Sequence, residues 1–402
     1  MVRTTSILPA LLGLAAASPT PGLLSTLLSN AKGFNSPFSS TSAGGKASCV
    51  SGTVAVKASA QNTKLLLSNP PSQYNDTEIF VEFLQPTSGI QAAVNGGKTT
   101  VSGTYNINAK LCFPASVSST SSISTVHFLI HGINFDQLYW DIPSSNGVSY
   151  SYLDAAASAG YATFSFDRLG TGFSDHPDPI QTVQSALEVE IAHQMIQSLR
   201  SGSIGGTAFS HVVGIGHSYG SIQSIGLANK YPSDLDAIIL QGFTINTANL
   251  GTTIADFNPT IASNNAPLRF GSLPSGYNVI NSAIGDQTAF YRFPNFDTSL
   301  FNTLDGKKQT FTLGEIFTLT EPVAPAAAYT GPVDIVNGQN DFIFCSSDCT
   351  GENEMVQPAL FPAAAAGSTN YYAPGTGHAL NAHKTAKDTY AQMIKFSKDN
   401  GF

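Results

Sequence analysis

His211-Val212-Val213-Gly214-Ile215 runs straight into Gly216-His217-Ser218-Tyr219-Gly220, and sequence compatible with a helix begins near Ser221. The order is an apolar strand, a G-x-S-x-G turn and a helix. A serine in such a turn is forced into strained backbone geometry, and glycines flank it because side chains there would collide. The turn lifts the hydroxyl above the strand ends. The helix behind it offers free N–H groups and its positive dipole end to a developing anion. The pentapeptide alone arises by chance often enough; the strand before it and the helix after it give it weight.

Working outward, residues 126–130 and 161–166 read as buried strands and 149–159 as a helix. Residues 182–200 read as an amphipathic helix, with Val183, Leu187, Ile191, Met195 and Leu199 on one face. A helix to about Lys230 and strands at 236–240 and 333–336 follow. Strands alternating with helices predict an α/β fold whose central sheet is mostly parallel and covered by helices on both faces. Residues 46–116 are β-like instead. Val54-Ala55-Val56 and Leu65-Leu66-Leu67 flank turn formers, and 103–113 alternates polar with apolar, so an antiparallel start is expected. No internal repeat is evident.

Two segments break the pattern. Residues 18–45, rich in Ser, Gly, Pro and Thr, are expected to form a flexible leader. Residues 244–328 carry many aromatics among scattered Asn, Pro and Gly, and a loop of that length predicts an inserted cap or lid. The core is then 46–243 plus 329–402.

Hydrophobic residues make up 42% of the 402 and charged ones 11%, an ordinary globular composition. A net charge of −8 without a Lys/Arg cluster excludes nucleic acid as the expected partner. Arg3 precedes an apolar stretch, 7–17, that ends in Ala15-Ala16-Ala17. This reads as a signal peptide at 1–17, cleaved after Ala17, and predicts a secreted protein. The stretch is shorter than the about 20 residues that span a bilayer, and no later segment is long enough. Four cysteines permit three pairings. The sequence favours Cys49–Cys112 and Cys345–Cys349, the second because its loop closes cheaply. Asn75-Asp76-Thr77 is a glycosylation sequon, expected on an exposed loop. No His/carboxylate spacing implies a metal, and no cofactor is expected.

Four ordered signals carry a resemblance: His131-Gly132 after a strand, Asp167-Arg168-Leu169-Gly170-Thr171-Gly172-Phe173-Ser174 after the next, the serine turn, and a late acid and histidine. Over residues 46–402 the chain resembles the α/β-hydrolase-fold superfamily, in particular exported fungal serine hydrolases with an inserted lid. The resemblance implies Ser, acid and His in that chain order. Ser218 is the nucleophile. His378, in a Gly/Pro-rich loop, is the base, with His383 as runner-up at the start of the last helix. Asp341, just after strand 333–336, is the acid; Asp334 competes but lies inside the strand. The Tyr219 and Ile133 N–H groups would hold the oxyanion, or Asn134 if the loop is shifted by one.

The Cys345–Cys349 link would brace the loop beyond Asp341. His131, Asn134 and His217 are candidates for the substrate pocket, although His131 and His217 also read as organisers of their loops. Asp167 and Arg168 are assigned to structure, and His127, His176, His193 and His211 to structural or solvated positions. The implied activity is cleavage of a carboxylic ester or lactone, a moderately apolar small molecule, through an acyl-serine. Acyl transfer, C–C hydrolysis and peptide cleavage use the same three residues, and a non-catalytic binding module of this fold is the rival of another class. The serine argues against branches that need a carboxylate nucleophile. Oligomeric state is not legible.

Overall fold

The computed structural model describes residues 21–85 and 87–402. The signal-peptide reading at 1–17 lies outside them. Three antiparallel strands open the sheet: β1 (Phe34–Thr41), β2 (Ala47–Leu65) and β3 (Asn95–Pro114). Along β2 the side chains of Val54, Val56, Ala58 and Ala60 are buried while Ala55, Lys57, Ser59 and Gln61 are exposed, the period of a strand with one face on the core. The turn expected between Val56 and Leu65 is therefore absent. Alternation continues through it, and Gln61 still pairs with Thr100. Cys49 faces Cys112 across this ladder, and the two form a disulfide.

Six shorter strands follow: β4 (Thr125–Ile130), β5 (Ala162–Phe166), β6 (His211–His217), β7 (Ala237–Gln241), β8 (Val333–Gly338) and β9 (Thr369–Ala373). The nine-stranded sheet runs β1-β2-β3-β5-β4-β6-β7-β8-β9. From β5 onward every pairing is parallel. Strands buried on both faces need continuous apolar sequence, and β4, β5 and β7 are buried at every position.

The region expected to be a flexible leader is structured from Pro21 onward. Helix α1 (Pro21–Ser29) buries Leu23 and Leu27, and β1 pairs with β2. The buried Asp154 carboxylate then gathers the Ser42 hydroxyl (2.5 Å) and the Gly44 and Lys46 N–H groups (2.6 and 3.0 Å). Small polar residues that look mobile in sequence are here donors to one buried acid.

Helix α2 (Gln73–Leu84) is capped by Ser72 and carries Asn75 in its first turn. Asn75 and Thr77 of the sequon are exposed while Asp76 is buried, and all three lie on a helix rather than the expected loop. Helix α3 (Tyr152–Ser158) is shorter than expected, because 148–151 pairs with 141–145 and Ser151 caps the helix. Helix α4 (Ser185–Arg200) turns its apolar face inward, and α5 (Tyr219–Lys230) follows β6. Between β7 and β8 lie α6 (Leu250–Phe257), α7 (Ala283–Phe290), α8 (Leu313–Thr318) and a small three-stranded sheet. A short helix α9 (Phe342–Cys345) follows β8, and α10 (Ala386–Asp399) ends the chain.

Leu27 is 3% exposed, so Leu27→Ala should lower the unfolding free energy by about 2–3 kcal/mol, the cost of a core cavity. A urea midpoint unchanged by the substitution would show that the N-terminal arm is not part of the cooperative unit.

Candidate active site

β6 ends at His217 and α5 begins at Tyr219, so Ser218 alone makes the turn. Its φ of 55° and ψ of −118° are rarely adopted by residues with a side chain. A Cβ on Gly216 would come within 2.3 Å of Gly220 O, and one on Gly220 within 2.1 Å of Ile130 O, which is why both are glycine. Hydrogen bonds hold the strain. The Ser218 N–H donates to Gln241 O (2.8 Å), and the Ser221 hydroxyl reaches Gly216 O (2.7 Å) and Gln241 O (3.0 Å).

His378 lies on the loop after β9, where its Nδ1 donates to Asp341 Oδ2 at 2.5 Å with both side chains fully buried. Asp341 follows β8 and caps α9, its Oδ1 accepting the Phe344 N–H at 3.1 Å. The two loops are in contact: a Cβ on Gly338, the last residue of β8, would fall 2.2 Å from Gly377 O. Cys345 and Cys349 are bonded, and within their loop the Ser347 N–H returns to Asp341 O (2.8 Å).

With Nδ1 engaged, His378 Nε2 is left buried without a partner, and no hydrogen bond joins it to Ser218 Oγ. Both residues border Gly242. It follows Gln241, the acceptor of the Ser218 N–H, and a Cβ on it would lie 3.1 Å from His378 Cε1. The three predicted residues thus meet at one end of the sheet, with the His–Asp link made and the Ser–His link open.

Ser218, Tyr219 and Ile133 line one cavity, and among the described residues neither the Tyr219 nor the Ile133 N–H has an acceptor. The cavity holds only about 40 Å³. Apart from Thr253, its other walls are apolar: Ile254 and Phe257 of α6, Phe290 of α7, Ile316 of α8 and Phe344 of α9 among them. No charged side chain lines it.

The three side chains expected in a substrate pocket are not in its lining. Asn134, in the left-handed region at φ 75°, donates to Asp286 Oδ1 (2.7 Å) and accepts the Gln309 N–H (3.0 Å), so it ties its loop to the segment between β7 and β8. His131 donates from Nδ1 to Gly132 O (2.9 Å) and accepts the Arg168 N–H at Nε2 (3.0 Å). Burial, then the Arg168 charge, hold its pKa well below the usual value. His217 donates from Nε2 to His378 O (3.0 Å) and stacks on Tyr139 (ring centroids 4.1 Å apart). Each is a support rather than a contact surface.

The runner-up base is a support too. His383 accepts the Arg292 and Gly377 N–H groups at Nε2 (2.9 and 3.1 Å) and donates from Nδ1 to Ala379 O (2.8 Å). Both ring nitrogens are used, so it props the loop that carries His378. It precedes α10, which starts at Ala386. Sequence reading also missed the Tyr139 hydroxyl donating to Gln241 Oε1 (2.9 Å) and Gln241 Nε2 donating to Asn381 Oδ1 (2.8 Å), links across more than one hundred residues. Arg168, assigned to structure, is fully buried. It pairs with Glu188 (2.7 Å) and Glu315 and lies 4.6 Å from the centre of the Tyr219 ring, whose hydroxyl donates to Glu188 (2.6 Å).

The sequence pattern of the Alpha/beta hydrolase family matches residues 128–392. The chain belongs to that family. Among solved structures its fold is similar to a soluble variant of the monoglyceride lipase from Saccharomyces cerevisiae, with TM-score 0.51 and 16% identity over 74% of this chain and 93% of that one. A bromoperoxidase from Bacillus anthracis gives TM-score 0.50 and 15% identity, covering 74% of this chain and 97% of the other. A thermophilic esterase from Thermogutta terrifontis gives 0.50 and 14%, covering 73% and 95%. At such identities the likeness concerns the α/β-hydrolase fold alone. No curated protein matches the chain. Among the described residues no group of His, Cys, Asp and Glu is arranged to hold a metal ion, and no helix is long and apolar enough to cross a membrane.

Burial raises the carboxyl pKa of Asp286 to about 7, with the Asp305 charge adding to the effect, and burial raises Asp334 to about 6. Unfolded carboxylates titrate near pH 4, so between about pH 4 and 7 these two groups hold more protons in the native state than in the unfolded one. Their contribution to stability is lost as pH rises through that window, while buried neutral histidines such as His131 and His383 contribute in the opposite sense. Urea unfolding of the wild type and Asp286→Asn across the window should show the wild type losing stability relative to the variant as pH rises; a difference that does not change with pH would contradict the assignment.

Proposed function

We propose that the chain is a serine hydrolase that cleaves carboxylic esters or lactones through an acyl-Ser218 intermediate. One observation carries the reading: a buried imidazole bonded to a buried carboxylate, its other nitrogen free, beside a serine held in a strained turn. Asp341 accepts the Nδ1–H and so fixes the tautomer in which Nε2 is a base. When the Ser–His link closes, Nε2 takes the Ser218 hydroxyl proton as Oγ attacks the carbonyl carbon. The carbonyl oxygen becomes an oxyanion facing the Tyr219 and Ile133 N–H groups. Collapse expels the alkoxide, which takes the proton back from Nε2, and water repeats the sequence to release the acid. Asp341 stabilises the imidazolium in both halves and is not itself protonated.

An uncharged, mostly apolar lining supports a moderately apolar, neutral substrate. A cavity of about 40 Å³ has room for little more than one water, so residues 244–328 act as a lid whose helices shift to admit an ester. Two disulfides support export, with 1–17 as the signal peptide and the exposed Asn75 as glycan acceptor.

A fluorophosphonate probe should label the wild type and not Ser218→Ala, whereas an unlabelled wild type would favour the binding-module reading. His378→Ala should fold and lose most activity on p-nitrophenyl esters. Asp341→Asn should cost on the order of 10⁴ in turnover. Full activity of either variant would remove that residue from the mechanism.

A further inference from the structure

A second cleft, of about 260 Å³, opens between α7 and the two loops that carry Asp341 and His378. Its walls include Asn340, Phe342 and Gly377, the immediate neighbours of those two residues. Arg292 stands in it. Among the described arginines Arg168, Arg200 and Arg269 all donate to carboxylates or carbonyls, while the Arg292 guanidinium has no hydrogen bond or ion pair. The side chains of Gln287 and Ser347, also in the walls, are likewise without partners. No Asp or Glu lines the cleft. The acids next to lining residues in the chain are each engaged, Asp286 by Asn134, Asp341 by His378 and the exposed Asp348 by Thr350.

In a chain of net charge −8, a concave site with one unpaired cation, free neutral donors and no carboxylate of its own is a local exception. We propose that this cleft is a second binding site, separate from the Ser218 cavity, for a small organic carboxylate. A planar guanidinium matches a carboxylate through two parallel N–H···O bonds, and the Gln287 amide and Ser347 hydroxyl are further donors for its oxygens. One positive charge balances one negative charge. A phosphate dianion would need a second cation, which the walls do not provide. The site takes its ligand whether or not Ser218 is catalytic, so its test is independent of the proposed hydrolysis.

The test is a ligand-observed NMR titration of the full chain with sodium propionate at constant ionic strength, with inorganic phosphate in parallel. Propionate should bind saturably with Kd on the order of 1 mM, well within what so few atoms can supply. Arg292→Gln, an exposed substitution, should weaken it about tenfold or more by removing the charge-assisted bonds. Ser218→Ala should bind it like the wild type. No saturable binding, or equal binding by Arg292→Gln, would overturn the site. Loss in Ser218→Ala would place the ligand in the other cavity, and phosphate binding more tightly than propionate would overturn the carboxylate assignment.

Discussion

The backbone of Ser218 is the constraint from which the rest of the site follows. A residue at φ 55° costs about 1–3 kcal/mol, so its surroundings must over-determine it. They do so through β7. Gln241 O takes the Ser218 N–H, and the Gln241 side chain links Tyr139 to Asn381. His217, next to the strained residue, reaches across to the carbonyl of His378. The turn that exposes the hydroxyl is therefore tied, bond by bond, to the loop that presents the imidazole.

On the proposed reading, the fully buried histidines divide one residue type between support and chemistry. His131 and His383 use both ring nitrogens on neighbouring backbone, and burial keeps His383 neutral with a pKa near 4. His127 bonds to the Tyr152 hydroxyl and His217 to a carbonyl. Among them only His378 is bonded to a carboxylate. On the proposed reading that carboxylate is what a base needs beside it at the moment of proton transfer, and what a structural histidine can do without.

What the sequence made legible was local. The serine turn could be found because strand, glycines and helix are contiguous, and the acid because it follows a strand by a few residues. The Cys345–Cys349 loop was legible for the same reason, and Cys49–Cys112 as the pair left over. Interactions between distant segments were hidden. Nothing near His383 announces that its ring accepts N–H groups from Arg292 and Gly377, and nothing near Ser42 or Gly44 announces Asp154. Residues 57–64 looked like a turn because polarity there is ambiguous, and only pairing with β3 settles the matter. His131, Asn134 and His217 lie outside the lining of the Ser218 cavity for a related reason: each is spent on hydrogen bonds that hold a loop.

The Arg168 cluster sets the mechanics of the segment over the cavity. Glu315 comes from α8 within that segment, and its carboxylate meets Arg168 at the core of the domain. Pulling the two apart would leave the buried Arg168 with Glu188 as its one carboxylate partner, at a cost on the order of a few kcal/mol. Helix α8 is accordingly a riveted wall. On the proposed reading, widening of the cavity then falls to its other walls, among them Leu250, Ile254 and Phe257 of α6, which meet it through apolar side chains.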